Sequence, residues 1–98
     1  MAEMAGNNAA DDMRELVTEI AKALVDAPDQ VVVDSFRDGE ATVLRLSVAP
    51  SDIGKVIGKQ GRTARSLRTI LGAASMKYQQ RFALDIVEVD QEPNGNIA

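Results

Sequence analysis

Apolar residues in the first third of the chain recur at helical spacing. Met13, Leu16, Val17, Ile20, Ala21 and Leu24 advance alternately by three and by one, which places them on one face of a helix. Asp12 followed three positions later by Glu15 has the form of a capping box and marks the start. Pro28 ends the helix, because the residue before a proline is pushed out of the α region. The period then changes. Residues 31–36 are a β-branched run, Asp38-Gly39 follows in a polar segment, and residues 41–48 resume with Leu44, Leu46 and Val48 on one face. Two such runs around Asp-Gly predict a hairpin, with a loop somewhat longer than two residues. Pro50 breaks the second strand, and Ser51 or Asp52 caps a short helix through Ile57. Helical period returns after Gly61, with Leu67, Ile70, Leu71, Ala74 and Tyr78 on one face and Arg62, Arg65 and Arg68 largely away from it. Residues 82–89 alternate Phe82, Leu84 and Ile86 against Ala83, Asp85 and Val87, as a strand does.

The predicted order is α-β-β-α-α-β, an α+β fold. The hairpin supplies two antiparallel strands. The third returns after two helices, a crossover long enough to lie parallel to the second. All three helices are expected on one face of this three-stranded mixed sheet. Residues 1–10 and 91–98 lack periodicity and are expected to be flexible tails around a single domain over 11–90.

Composition narrows the chemistry. Histidine and cysteine are both absent. That removes the commonest general base, the commonest metal ligand, thiolate–zinc sites and disulfides. A non-enzyme without metal or cofactor is expected. Residues 1–10 show neither a basic leader nor an apolar core of a signal, and no run of about 18 apolar residues occurs, so a cytoplasmic protein without membrane insertion is expected.

The net charge of −4 would not by itself suggest a nucleic-acid binder, and a run of charge is most simply a solvated helix face, but the distribution is unusual and leans toward an anionic partner. Between Ile53 and Leu84 stand seven cations, Lys55, Lys59, Arg62, Arg65, Arg68, Lys77 and Arg81, and one fails to find there a single Asp or Glu after Asp52. The other four cations and all fifteen acids lie outside that window. Potentials decay over a Debye length of about 8 Å, so a local field steers a polyanion more than net charge does.

Within the window stands Val56-Ile57-Gly58-Lys59-Gln60-Gly61-Arg62. Gly58 suits the left-handed conformation that closes a helix, and two glycines let a sugar–phosphate chain approach the backbone closely. The next helix begins at about Arg62 and would aim its free N–H groups at an anion there. By spacing alone, a plain helix–helix turn is the simpler reading. Nucleotide-binding motifs fit worse. Between Gly54 and Gly58 lie three residues where a P-loop has four, and Gln60 stands where Ser or Thr should bind magnesium.

Gly58-Lys59-Gln60-Gly61 between two short helices resembles the signature loop of KH domains, and the element order is similar to the type II KH arrangement. The resemblance is closest to the KhpA-like family of small bacterial KH proteins. It runs from Glu15 to Val89 and includes Val48-Ala49-Pro50 and the segment from Gly54 to Arg62. One departure is Ala64, where many KH domains place a larger aliphatic residue. The resemblance implies single-stranded RNA binding, with Gly58, Lys59, Gln60 and Gly61 holding the backbone. Lys59 and Gln60 would face phosphates. Val56, Ile57 and the strand from Phe82 to Ile86 would line an apolar groove for bases. Lys55, Arg62, Arg65 and Arg81 complete the implied site. The segment from Tyr78 to Arg81 stands in place of the variable loop and is short, so the clamp should be shallow. Only three aromatics occur, Phe36, Tyr78 and Phe82, too few for a stacking platform. Gly72, Ala73 and Met76 lie off the main stripe of the third helix, as incidental small-residue surface or as a self-association patch. The family implies a homodimer or a heterodimer with a KhpB/EloR (Jag)-type KH protein. It implies action as a post-transcriptional regulator or RNA chaperone in cell elongation and division. The alternative is a protein-interaction adaptor that keeps the fold without binding RNA.

Overall fold

The computed structural model describes residues 2–89, and side chains from Ala9 onward. Three helices, α1 (Ala2–Leu24), α2 (Ile53–Ile57) and α3 (Arg62–Tyr78), alternate with strands β1 (Val32–Asp38), β2 (Ala41–Val48) and β3 (Arg81–Glu88) in the expected order. The sheet order is β1-β2-β3. The first pair is antiparallel and the second parallel, so the sheet is mixed.

Register sets which face is buried. Val33 pairs with Leu46, Leu44 with Leu84, and Thr42 with Phe82. These residues and Val48 point to the helices and are buried. Against them pack Ala9, Met13, Val17 and Ala21 of α1, Val56 of α2, and Leu67 and Leu71 of α3. Burying a side chain such as Leu44 or Leu46 contributes roughly 1.5–3 kcal/mol relative to exposing it, and both have no exposed surface. The edge-on pair Tyr78–Phe82, with ring centroids 6.3 Å apart, closes the core where α3 turns into β3.

Several expectations are corrected. The helix α1 begins at Ala2 rather than at the Asp12–Glu15 box, and Ala9 is wholly buried. Ala2, Ala5, Ala9 and Ala10 favour helix, so the helix propagates upstream of its apolar stripe. Its buried positions step by four, and that stripe is narrower than the sequence face; Leu16 and Leu24 fall outside it and are exposed. Ile70 is likewise exposed, at 45%, because Ala64, Leu67 and Leu71 form the sheet-facing stripe of α3. The hairpin loop has two residues, since Asp38 pairs directly with Ala41. Gly39 at its first position has φ +63°, as a type II′ turn requires. The segment 91–98 lies outside the described residues.

Candidate nucleic-acid interface

The loop is built by interrupting a helix and restarting it at once. Helix α2 closes when the Gly58 N–H donates to the Gly54 carbonyl at 2.8 Å. Gly58 then adopts φ +82°, ψ 168°, a region only glycine enters freely. A Cβ there would collide with the Thr63 side chain and lie 2.8 Å from the Thr63 amide nitrogen. A single 3₁₀ turn, Lys59–Gly61, follows, with Gln60 (φ 57°, ψ 26°) and Gly61 (φ 73°, ψ 15°) both left-handed. Three of the four loop residues thus have positive φ, which folds the chain tightly and presents Lys59 and Gln60 to solvent.

The amides are shared differently from the sequence expectation. The Gly61 N–H donates to the Gly58 carbonyl at 3.0 Å and the Arg62 N–H to the Lys59 carbonyl. The main-chain donors left for an anion at the loop are those of Lys59 and Gln60, which have no backbone acceptor among the described residues. Arg62 and Arg65 flank them. The Arg62 guanidinium donates to the Gln60 side-chain Oε1 at 3.2 Å and that of Arg65 to the Gln60 carbonyl at 3.4 Å. Among the described residues, no carboxylate pairs with Lys59, Arg62 or Arg65.

Asp52 fixes the approach of α2. It precedes the helix but makes no side-chain cap. Instead its wholly buried carboxylate accepts the Asp26 N–H at 3.1 Å and the Ala27 N–H at 3.0 Å, joining the start of α2 to the segment after α1. The Asp26 N–H above all holds this carboxyl below its ordinary pKa; burial opposes the shift, and the Ala27 N–H and the Lys55 ammonium reinforce it. Lys55 stands 3.6 Å from Asp52 and 3.4 Å from Asp26, so folding brings two acids to one cation of the basic window.

The remaining implied residues divide. Ile57 is half-buried beside the loop, as Ile86 is on β3, and both can offer apolar surface to a base. Val56 has no exposed surface: it belongs to the core, because on so short a helix the residue facing the sheet cannot also face a groove. Arg81 pairs with Ala41 at the start of β3, at the opposite end of the sheet from the loop that follows Val48 and α2. Between them runs the 17-residue α3, about 25 Å long. There Arg81 lines a shallow hollow with Arg37, Thr42, Met76 and Gln79. The turn into β3 is short, with Gln79 left-handed (φ 56°) and its N–H on the Ser75 carbonyl.

Arg68 belongs to the basic window but not to the implied site. Its guanidinium crosses from α3 to the Leu84 carbonyl of β3 at 3.2 Å. The available signal was its place four residues after Ala64 and next to Leu67, at the border of the buried stripe.

Comparison with known proteins agrees with this geometry. The family model described as "KhpA/KhpB, KH domain" matches residues 14–86. The RNA-binding protein KhpA of Halalkalibacterium halodurans is 53% identical over 76 residues, covering 78% of this chain and all of the relative. Those of Clostridium acetobutylicum and Caldanaerobacter subterraneus subsp. tengcongensis are 47% and 49% identical over 75 residues, each covering 76% of this chain and all of the relative. Among solved structures, Era in complex with MgGDPNP and nucleotides 1506-1542 of 16S ribosomal RNA is similar, with TM-score 0.52 and 15% identity. That match covers 78% of this chain and 29% of Era and speaks to the fold alone. The match takes in α1 from Arg14, the helix–loop–helix segment and the sheet as far as Ile86, and the chain belongs to the KhpA/KhpB family of KH domains.

Proposed function

We propose that this chain is a non-catalytic module that binds single-stranded RNA. The loop of Gly58, Lys59, Gln60 and Gly61 would hold the phosphate backbone and the space beside Ile57 and Ile86 would receive bases. The observation that carries the reading is the loop itself. Three positive-φ residues present two unengaged amides and Lys59 outward, with Arg62 and Arg65 beside them and no carboxylate paired to any of these cations among the described residues. A phosphodiester supplies the acceptors and the charge that this arrangement lacks.

The family's KhpA members, named RNA-binding proteins, support the same assignment. On this reading the protein works in the cytoplasm as a post-transcriptional regulator or RNA chaperone, with a KhpB/EloR-type partner, in cell elongation and division. Among the described residues, no helix is long and apolar enough to cross a membrane. Self-association, or pairing with that partner, would use the outer face of α3, where Ile70, Gly72, Ala73 and Met76 are exposed, Met76 at 82%.

The test is a double substitution, Lys59→Asp with Gln60→Asp, titrated with labelled single-stranded RNA. Aspartate tolerates the left-handed conformation at position 60, so the fold should survive. RNA binding should be lost while the circular dichroism spectrum is unchanged. Wild-type affinity should fall with salt at a log–log slope of about −0.7 per phosphate contacted. Undiminished binding by the double variant would refute the assignment. A chain that retains no RNA yet captures a KH-domain protein would be an adaptor instead.

A further inference from the structure

The exposed edge of β3 carries a donor and acceptor pattern that the backbone clamp does not use. In the sheet, β3 neighbours only β2. In a parallel pair, alternate residues turn both main-chain groups toward the partner strand. The Val89 N–H donates to the Val48 carbonyl at 2.8 Å, so Val87, Asp85 and Ala83 also face β2, while Phe82, Leu84 and Ile86 face the free edge. Two contacts from α3 agree with that parity. The Phe82 N–H donates to the Ser75 hydroxyl at 3.1 Å, and the Leu84 carbonyl accepts from the Arg68 guanidinium at 3.2 Å. By the same parity the main-chain groups of Ile86 turn away from β2, toward the free edge.

We infer that Arg68 selects the base seated beside Leu84, favouring cytosine over uracil. The inference rests on the RNA-binding reading above and adds to it a specificity residue. Arg68 lies six residues along α3 from Arg62, about 9 Å from the loop. It is exposed and pairs with no carboxylate among the described residues. A guanidinium has five donors in a planar fork and no acceptor, and a carbonyl has two lone pairs, of which Arg68 occupies one at Leu84. Side by side they form an acceptor next to a pair of donors. The Watson–Crick edge of cytosine is the complement: its amine donates to Leu84, and its ring nitrogen and carbonyl accept from Arg68. Uracil in the same place sets a carbonyl against the Leu84 carbonyl and an N–H against the guanidinium. Single-stranded RNA exposes this edge for reading.

The experiment is an anisotropy titration of the full chain with labelled oligocytidine and oligouridine of equal length at one salt concentration. A well-placed bidentate contact discriminates by about 1–3 kcal/mol, so wild type should prefer cytidine by about tenfold. Arg68→Lys keeps the charge and removes the fork. It should leave oligouridine affinity unchanged and bring the ratio to about one. On the RNA side, N4,N4-dimethylcytidine, which lacks the amine donor, should bind wild type no better than uridine, a readout independent of any variant's folding. Equal binding of both oligomers by wild type, with binding lost in the Lys59→Asp, Gln60→Asp variant, overturns base selection and leaves the clamp standing. A parallel loss for both oligomers in Arg68→Lys, with the ratio kept, also overturns it. If wild type binds neither oligomer, the RNA-binding reading fails and this inference with it.

Discussion

Replacing Gly58 by alanine tests the geometry of the loop without touching any charge. Two effects combine. At φ +82°, ψ 168° the backbone sits in a region that residues with a Cβ avoid, at a penalty of about 1–3 kcal/mol. The new methyl also overlaps the Thr63 side chain and presses on the Thr63 amide nitrogen, which is main chain at the start of α3 and cannot rotate away. Overpacking of this kind costs about 1–3 kcal/mol. Together they destabilise by about 4 kcal/mol, a large share of the roughly 5–15 kcal/mol that holds a domain of this size. The corresponding fall in Tm is about 15–30 °C. The neighbours calibrate the result. Gly61 is also left-handed, but a methyl there meets nothing within 4 Å, so Gly61→Ala should cost only about 1–2 kcal/mol. Gly54 lies inside α2 with open space around it, and Gly54→Ala should stabilise by about 0.5–1 kcal/mol. Urea unfolding followed by far-ultraviolet circular dichroism gives all three values, with m held constant as the check on two-state behaviour. Coincident midpoints for Gly58→Ala and Gly61→Ala would refute the reasoning, because the two sites differ chiefly in the contact with Thr63.

Two further outcomes concern the supports around the loop. Asp52 has its pKa lowered in the folded state, so its contribution is fully present above the unfolded value near 3.8 and disappears as pH falls through the folded value. Stability measured below pH 4 should therefore drop more steeply in wild type than in Asp52→Asn, which should already be less stable at pH 7; superimposable pH profiles would contradict the role given to the buried carboxylate. Gln79 ends α3 in a left-handed conformation that glycine adopts without a Cβ penalty. Gln79→Gly should raise the urea midpoint, by about 0.5–1 kcal/mol in stability, and a lowered midpoint would show that the Gln79 side chain holds the turn.

Much of the architecture was legible because two periods carry it. The shift from helical spacing at Met13, Val17 and Ala21 to alternation at Leu44, Leu46 and Val48 marks elements whose buried faces the structure confirms. What the pattern could not carry is the width of a face. Ile70 lies near Leu67 and Ala74 on a helical projection, three and four residues away, yet the sheet reaches only the stripe of Ala64, Leu67 and Leu71, leaving Ile70 in water. Val56 shows the converse, since a five-residue helix against a sheet leaves its inward residue no second role. Asp52 reads locally as a cap, but its partners are Asp26 and Ala27, and nothing near it in sequence points to them. The loop was visible as two glycines. Its internal use of the Gly61 and Arg62 amides follows from the 3₁₀ turn, which no residue type in Gly58-Lys59-Gln60-Gly61 demands.

The outer edge of β3, which two α3 side chains partly occupy, also bears on how the protein keeps to itself at high concentration. A bare strand edge is a template for another chain's backbone, and natural sheets protect such edges with charges or packed side chains. Here Ser75 occupies the Phe82 amide and Arg68 the Leu84 carbonyl, so an incoming strand would have to displace both before its own ladder could form. At the opposite border of the sheet, Asp34, Arg37 and Asp38 are exposed along β1 and discourage stacking of copies edge to edge. The arginine that crosses from α3 to Leu84 thus also guards against fibril-like growth.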